Sequence, residues 1–320
     1  MSYLISFYQR IILMIVGSLL SYYVGIKLME KTNQLDGYLD DLSDDVKQLT
    51  QNVNLNYYEK TIANLIVVQT NKKHFTDIIG HDRIKKDLYN LIIKPIQNPN
   101  FYKNCKLLQP PSGVLLHGPP GTGKTMLAQA LSCELNCTFI NFDLGLIENK
   151  LYGESLKILK ALFTLAAKLK PTIIFIDEID GVFATRSSLD QSHVTSIKTS
   201  ILQELDGFVQ KDPNIIVIAA TNRKFDLDPA LIRRLPIQLF VSKPSTKELK
   251  LLFDYYLNDF HIPNTLDIAS KCSGLTGSNV HDICKLAAHR AASSNKNKFT
   301  ITPTHLYEAI QDLHPSFEIL

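Results

Sequence analysis

Apolar residues gather in five short runs through the centre of the chain: Gly113–His117, Thr138–Phe142, Thr172–Asp177, Ile215–Thr221 and Gln238–Val241. Each has the length of a strand. Most are apolar at successive rather than alternate positions, the pattern of parallel strands covered on both faces. Between most of them apolar residues return every three or four positions, as on a helix packed by one side. The alternation predicts an α/β fold: a parallel sheet with helices on both faces. Beyond Pro244 the period turns wholly helical, over Thr246–Tyr256, Gly277–Ala292 and Thr304–Leu313. That shift predicts a smaller helical lid, and we divide the chain into an α/β subdomain at 75–244 and a lid at 245–320.

Upstream, Ile11 to Ile26 runs for sixteen residues without a charge, bracketed by Arg10 and Lys27. A membrane span takes about 20 apolar residues, so the run is short. Snorkelling of Arg10 and Lys27, with Leu4, Ile5 and Phe7 ahead, makes up the length. Tyr3, Tyr8, Tyr22 and Tyr23 fall where an interfacial aromatic belt would lie. No small-x-small cleavage site follows, which argues against a removed signal peptide. Residues 1–30 are therefore expected to form an N-terminal transmembrane helix. Lys27 and Lys31 outweigh Arg10, which favours a cytosolic location for the remainder. Within residues 31–74, Leu35, Leu39, Leu42, Val46, Leu49 and Val53 alternate by four and three, the spacing of a coiled-coil seam. The seam is under three heptads and contains Gly37, and a polar spacer helix is the alternative.

The chemistry begins after the first strand. Gly118-Pro119-Pro120-Gly121-Thr122-Gly123-Lys124-Thr125 reads G-x4-G-K-T between a strand and a helix, the context of a phosphate-binding loop. Its glycines let backbone N–H groups close around a polyphosphate, and the helix N-terminus favours negative charge. Lys124 is expected to reach the β- and γ-phosphates, and the Thr125 hydroxyl to ligate Mg²⁺. The third run delivers Asp177 and Glu178 at its end, the first suited to hold Mg²⁺ and the second to activate water. Asn222 follows the fourth run, where open α/β sheets place ligands, and is positioned to orient that water. Arg233 and Arg234 close a predicted helix; as an arginine finger given to a neighbour's γ-phosphate they would be worth orders of magnitude in rate.

Taken together, Gly118–Thr125, Ile173–Asp180, Ala219–Arg223 and Asp228–Arg234 resemble the Walker A, Walker B, sensor-1 and second-region-of-homology motifs of AAA ATPases. The resemblance runs from about Phe75 to the C-terminus and points to the meiotic clade. Within it, Pro111–Leu116, Tyr152–Ser155 and Arg233–Pro236 are similar to the membrane-anchored translocases of the outer mitochondrial membrane and peroxisome. The resemblance implies ATP and Mg²⁺ as cofactors and a homo-hexamer that extracts mislocalised tail-anchored proteins through a central pore. It implies residence in the mitochondrial outer membrane or the peroxisome, with the ATPase in the cytosol. It also implies that the Asp77–Gly80 backbone, at Ile79 and Gly80, cups the adenine, Ile79 standing where a glycine is usual. Thr276-Gly277-Ser278 would start a lid helix beside the nucleotide, with Asn279 in place of an Asp. Leu151 and Tyr152 would form the substrate-gripping pore loop, Leu151 replacing the usual Trp. Arg186 to His193 would form a second. Asn54 to Lys73 would be a linker, with Tyr57, Tyr58, Leu65 and Val67 available to pack near the pore entrance.

Composition removes other classes. A net charge of +3, with no basic cluster interleaved with aromatics, gives no footprint for nucleic acid. Five cysteines argue against a disulfide scaffold. Cys133 and Cys137 lack histidine partners at metal spacing, so core packing is expected. No HExxH occurs, which excludes an attached zinc protease. Two other functions fit parts of the pattern: a meiotic-clade ATPase acting on microtubules or membrane-remodelling filaments, and a scaffold that binds ATP without turnover. The short stretch before Phe75 leaves little room for the adaptor domain of the first. Lys124, Asp177, Glu178 and Asn222 argue against the second.

Overall fold

The computed structural model describes residues 44–66, 73–102, 108, 111, 113–148, 152–184, 192–209, 214–260, 262, 265–294 and 300–314. Among these no helix is long and apolar enough to cross a membrane. The expected anchor at 11–26 lies outside them, as do Leu35, Leu39 and Leu42 of the seam, Val67, Leu151 and Arg186.

Five strands form one parallel sheet: β1 (Gly113–His117), β2 (Thr138–Phe142), β3 (Thr172–Ile176), β4 (Ile215–Thr221) and β5 (Ile237–Phe240), in the order β2-β3-β4-β1-β5. β3 and β4 are buried along their whole length, as their unbroken apolar runs require. Their side chains still alternate. Ile174, Ile176, Val217 and Ala219 join the core on one face, while Ile173, Phe175, Ile216 and Ile218 join the core on the other. Each fully buried side chain of this size contributes about 1.5–3 kcal/mol.

Among the described residues the helices of six residues or more are α1 (Asp44–Thr50), α2 (Tyr57–Ala63), α3 (Asp82–Leu88), α4 (Lys124–Leu135), α5 (Tyr152–Lys168), α6 (Ser192–Glu204), α7 (Pro229–Arg234), α8 (Thr246–Tyr256), α9 (Thr265–Lys271), α10 (Gly277–Ser294) and α11 (Pro303–Leu313). The last four enclose a separate core around Leu249, Phe253, Ile283 and Ile310. We call these four helices the lid; the sequence pattern predicts three of them and not α9. Its seven residues are too few to show a period.

The packed body reaches upstream of Phe75. Val46, Ile62, Ala63 and Ile66 sink into the core beside α5, and the amide of Asn141 donates to the carbonyl of Leu65 at 3.1 Å. Helix α1 ends at Thr50 with Val46 buried, so the expected seam does not continue as one helix to Val53. Apolar spacing of three and four suits a core-facing helix as well as a coiled coil; here the core takes Val46, while Leu49 stays exposed.

Candidate functional site

Parallel pairing brings the carboxyl ends of β1, β3 and β4 to one edge of the sheet: His117 pairs with Thr221, and Ile176 with Ala219. The next residues of each chain segment, Gly118, Asp177 and Asn222, therefore meet there. Gly118 presses against the carbonyl of Val241, which leaves no space for a Cβ. Gly121 and Gly123 are left-handed, with φ of 74° and 92°, and α4 starts at Lys124. The helix ends at Asn136, also left-handed, whose amide donates to the carbonyl of Cys133.

Lys124 is buried, and its Nζ donates to the carbonyls of Gly118 and Pro119, each at 2.9 Å, and to Asn222 Oδ1 at 2.7 Å. Burial lowers its pKa, opposed by the nearby charges of Asp177, Asp180 and Glu178. Thr125 Oγ1 donates to Asp177 Oδ2 at 3.0 Å. This pair of hard oxygen groups fits Mg²⁺, which is typically held by one or two carboxylates together with phosphate oxygens. Among the described residues no cluster of three or more His, Cys, Asp or Glu could hold a metal by itself. Asp177 Oδ1 accepts from the Glu178 amide at 2.9 Å, and Glu178 holds a left-handed backbone at φ 47°. A non-glycine residue there is strained, and such strain collects at functional positions.

A cavity of about 510 Å³ opens between this edge and the lid, lined by Ile79, Thr122, Lys124, Asp177, Glu178 and Ser278 among others. The Ser278 amide donates to the Gly121 carbonyl at 3.3 Å. Asn279 Oδ1 accepts from the Thr276 amide and hydroxyl, at 2.9 and 2.7 Å, so the replacement of Asp keeps the turn that opens α10. Ile79 lines this cavity; Gly80 does not, and with Ile79 it lines a neighbouring one between α3 and α8, where Lys85 Nζ donates to the Ile78 carbonyl at 2.9 Å. Several lining residues escaped the sequence reading, among them His81, Glu248, Leu252, Tyr256 and His281. A lone histidine after a glycine carries no signal of its own.

Arg233 and Arg234 do not line this cavity. Arg233 is exposed at the end of α7. Arg234 forks onto Asp206, Nε to Oδ1 at 2.8 Å and Nη2 to Oδ2 at 2.6 Å, and these bonds raise its pKa. Tyr152 is the first residue of α5, and Leu151 before it lies outside the described residues. Burial pushes the thiols of Cys137, Cys272 and Cys284 up to about 12, which leaves them unreactive packing groups.

The sequence pattern of the ATPase family associated with various cellular activities (AAA) matches residues 114–243. The human outer mitochondrial transmembrane helix translocase is 39% identical over 286 residues, covering 85% of this chain and 78% of that protein. Its Xenopus tropicalis counterpart is 41% identical over 245 residues, covering 74% and 68%. The chain belongs to the AAA ATPases, in the family of outer mitochondrial transmembrane helix translocases. Solved AAA structures share the architecture of this family member. The FIGL-1 AAA domain in complex with ADP superposes with a TM-score of 0.69 at 27% identity, covering 87% of this chain and 93% of that one. A structure described as the basis for katanin self-assembly gives 0.67 at 28% identity, covering 81% and 91%. As an AAA protein, the chain binds nucleotide and is an ATP hydrolase.

Proposed function

We propose that this AAA ATPase draws transmembrane helices out of the outer mitochondrial membrane, a reading supported by relatives named outer mitochondrial transmembrane helix translocase. One observation carries the reading: Lys124, Thr125, Asp177, Glu178 and Asn222, from three strand ends, converge under a lid that touches the phosphate loop. ATP is the substrate. Lys124 and the loop amides bind its phosphates, and Asn222 holds Lys124 in place. Bound Mg²⁺, taken by Thr125 and Asp177, supplies charge neutralisation on the phosphates. Glu178 takes the proton of the attacking water as the γ-phosphoryl group leaves ADP.

Turnover is completed by a neighbouring protomer in a ring, whose Arg233 or Arg234 offsets charge at the γ-phosphate. Phe225 stands 98% exposed and Phe240 57% exposed around a second cavity beside Pro119, an apolar surface that supports such an assembly. The lid contact at Ser278 couples nucleotide state to domain angle, and Tyr152 at the head of α5 grips the extracted chain. The N-terminal segment 1–30 anchors the ring in the membrane.

The test uses Glu178→Gln in the full chain. ATP binding is expected to persist while hydrolysis falls at least about a hundredfold. Crosslinking on isolated mitochondria is expected to capture proteins with membrane-spanning helices. Turnover at the parent rate would remove Glu178 from its role. Stimulation by tubulin, with no membrane protein captured, would replace the substrate.

A further inference from the structure

His81 sits between the lid and the phosphate loop and touches both. It adopts a left-handed backbone, φ 56° and ψ 28°, at the start of α3. In that pose its amide donates to Glu248 Oε1 in lid helix α8 at 3.1 Å, and its ring Nε2 lies 3.0 Å from the carbonyl of Thr122. A carbonyl only accepts, so Nε2 carries the proton. Glu248 is itself fixed, its Oε2 accepting from the Ser245 amide and hydroxyl at 2.8 and 2.7 Å. Gly80 packs so closely on Glu248 that a Cβ would collide with the carboxylate.

The consequence lies in the peptide planes of the loop. In a trans peptide the C=O and the following N–H point in opposite directions. The lid's Ser278 amide holds the Gly121 carbonyl, which sets the direction of the Thr122 N–H. His81, braced by the lid's Glu248, holds the Thr122 carbonyl, which sets the direction of the Gly123 N–H. The geometry points to His81 as a positioning residue through which the lid aims the amides of the phosphate loop. It rests on the nucleotide reading of the cavity and adds to it a second, side-chain-dependent link from lid to loop. His81 binds no phosphate itself; it determines how well the loop is shaped to do so.

The full chain is compared as parent, His81→Ala, His81→Gln and Lys124→Ala. The readouts are ADP binding by calorimetry, steady-state ATP turnover and thermal unfolding without nucleotide. His81→Ala is expected to raise the Kd for ADP and the KM for ATP about tenfold, the effect of one lost, partly buried hydrogen bond. kcat should change far less. His81→Gln, whose side-chain amide can donate to the same carbonyl, is expected to stay within about threefold of the parent. An unchanged Kd in His81→Ala overturns the inference. So does equal impairment of the Ala and Gln variants with matching losses in unfolding temperature, which would make His81 a packing residue. If the parent does not bind ADP, or Lys124→Ala binds it equally well, the nucleotide reading falls and the inference falls with it. Binding lost in Lys124→Ala but untouched in His81→Ala removes the relay alone.

Discussion

At Gly121 two requirements coincide: a left-handed backbone, and the lid hydroxyls of Ser278 and Thr276 occupying the space a Cβ would take. Left-handed geometry alone costs a side-chain-bearing residue about 1–2 kcal/mol. Gly121→Ala is therefore expected to push the lid from the loop and weaken ADP binding about tenfold or more, while circular dichroism shows the fold retained. Calorimetry on the purified variant checks it. Glycine spacing made this residue legible in the sequence, because only glycine meets such a backbone demand and the demand recurs at fixed offsets. Lys124 and Thr125 were legible from the same loop, and Asp177 and Asn222 for a related reason, each lying at the end of an apolar run that reaches the ligand edge. His81 was not. Its partners, Thr122 and Glu248, are 41 and 167 residues away, and nothing in its neighbours marks that contact.

Helix α2 shows the same limit for an element. Asn56 Oδ1 accepts from the Glu59 amide, and Glu59 Oε2 accepts from the Asn56 amide, a capping box that the local pattern Asn-x-x-Glu signals. What seats the helix is tertiary. Glu59 is 1% exposed and meets Lys168 of α5 at 2.6 Å, with Thr164 donating to its other oxygen at 2.9 Å. Lys168, 38% exposed, can rehydrate if its partner is lost; Glu59 cannot. Lys168→Ala is thus expected to cost about 3 kcal/mol and Glu59→Gln, which keeps the capping box, distinctly less. Urea denaturation resolves the asymmetry, and equal losses would contradict it. Burial raises the Glu59 carboxyl, but the hydrogen bonds of Lys168, the Asn56 amide and Thr164 outweigh it and hold the group below its ordinary 4.5. A lowered native pKa stabilises the fold in full above that ordinary value. The contribution fades as pH falls below it, through the lowered native value. Glu59→Gln should flatten that part of the acid dependence, measured as urea midpoints from about pH 6 to about pH 3.

For the whole molecule, the arginines make the sharpest demand. Both end α7 outside the chain's own cavity, and Arg234 is already engaged by Asp206. If they act on a neighbour, Arg233→Ala/Arg234→Ala should lower turnover about a thousandfold or more. Mixed with Glu178→Gln subunits, it should recover phosphate release well above the sum of the two alone. Each variant then supplies what the other lacks, and a mixture no better than its parts would mean the arginines serve their own subunit. The parallel sheet, the lid and the loop chemistry could all be read from the chain, because hydrophobic period, strand-end carboxylates and glycine spacing are local properties. Strand order, the burial of Val46 where a seam was expected, the pairing of Arg234 with Asp206 and the place of His81 were decided only by the fold. Each depends on which distant surfaces meet, and a one-dimensional pattern specifies what a residue can contact without specifying which partner arrives.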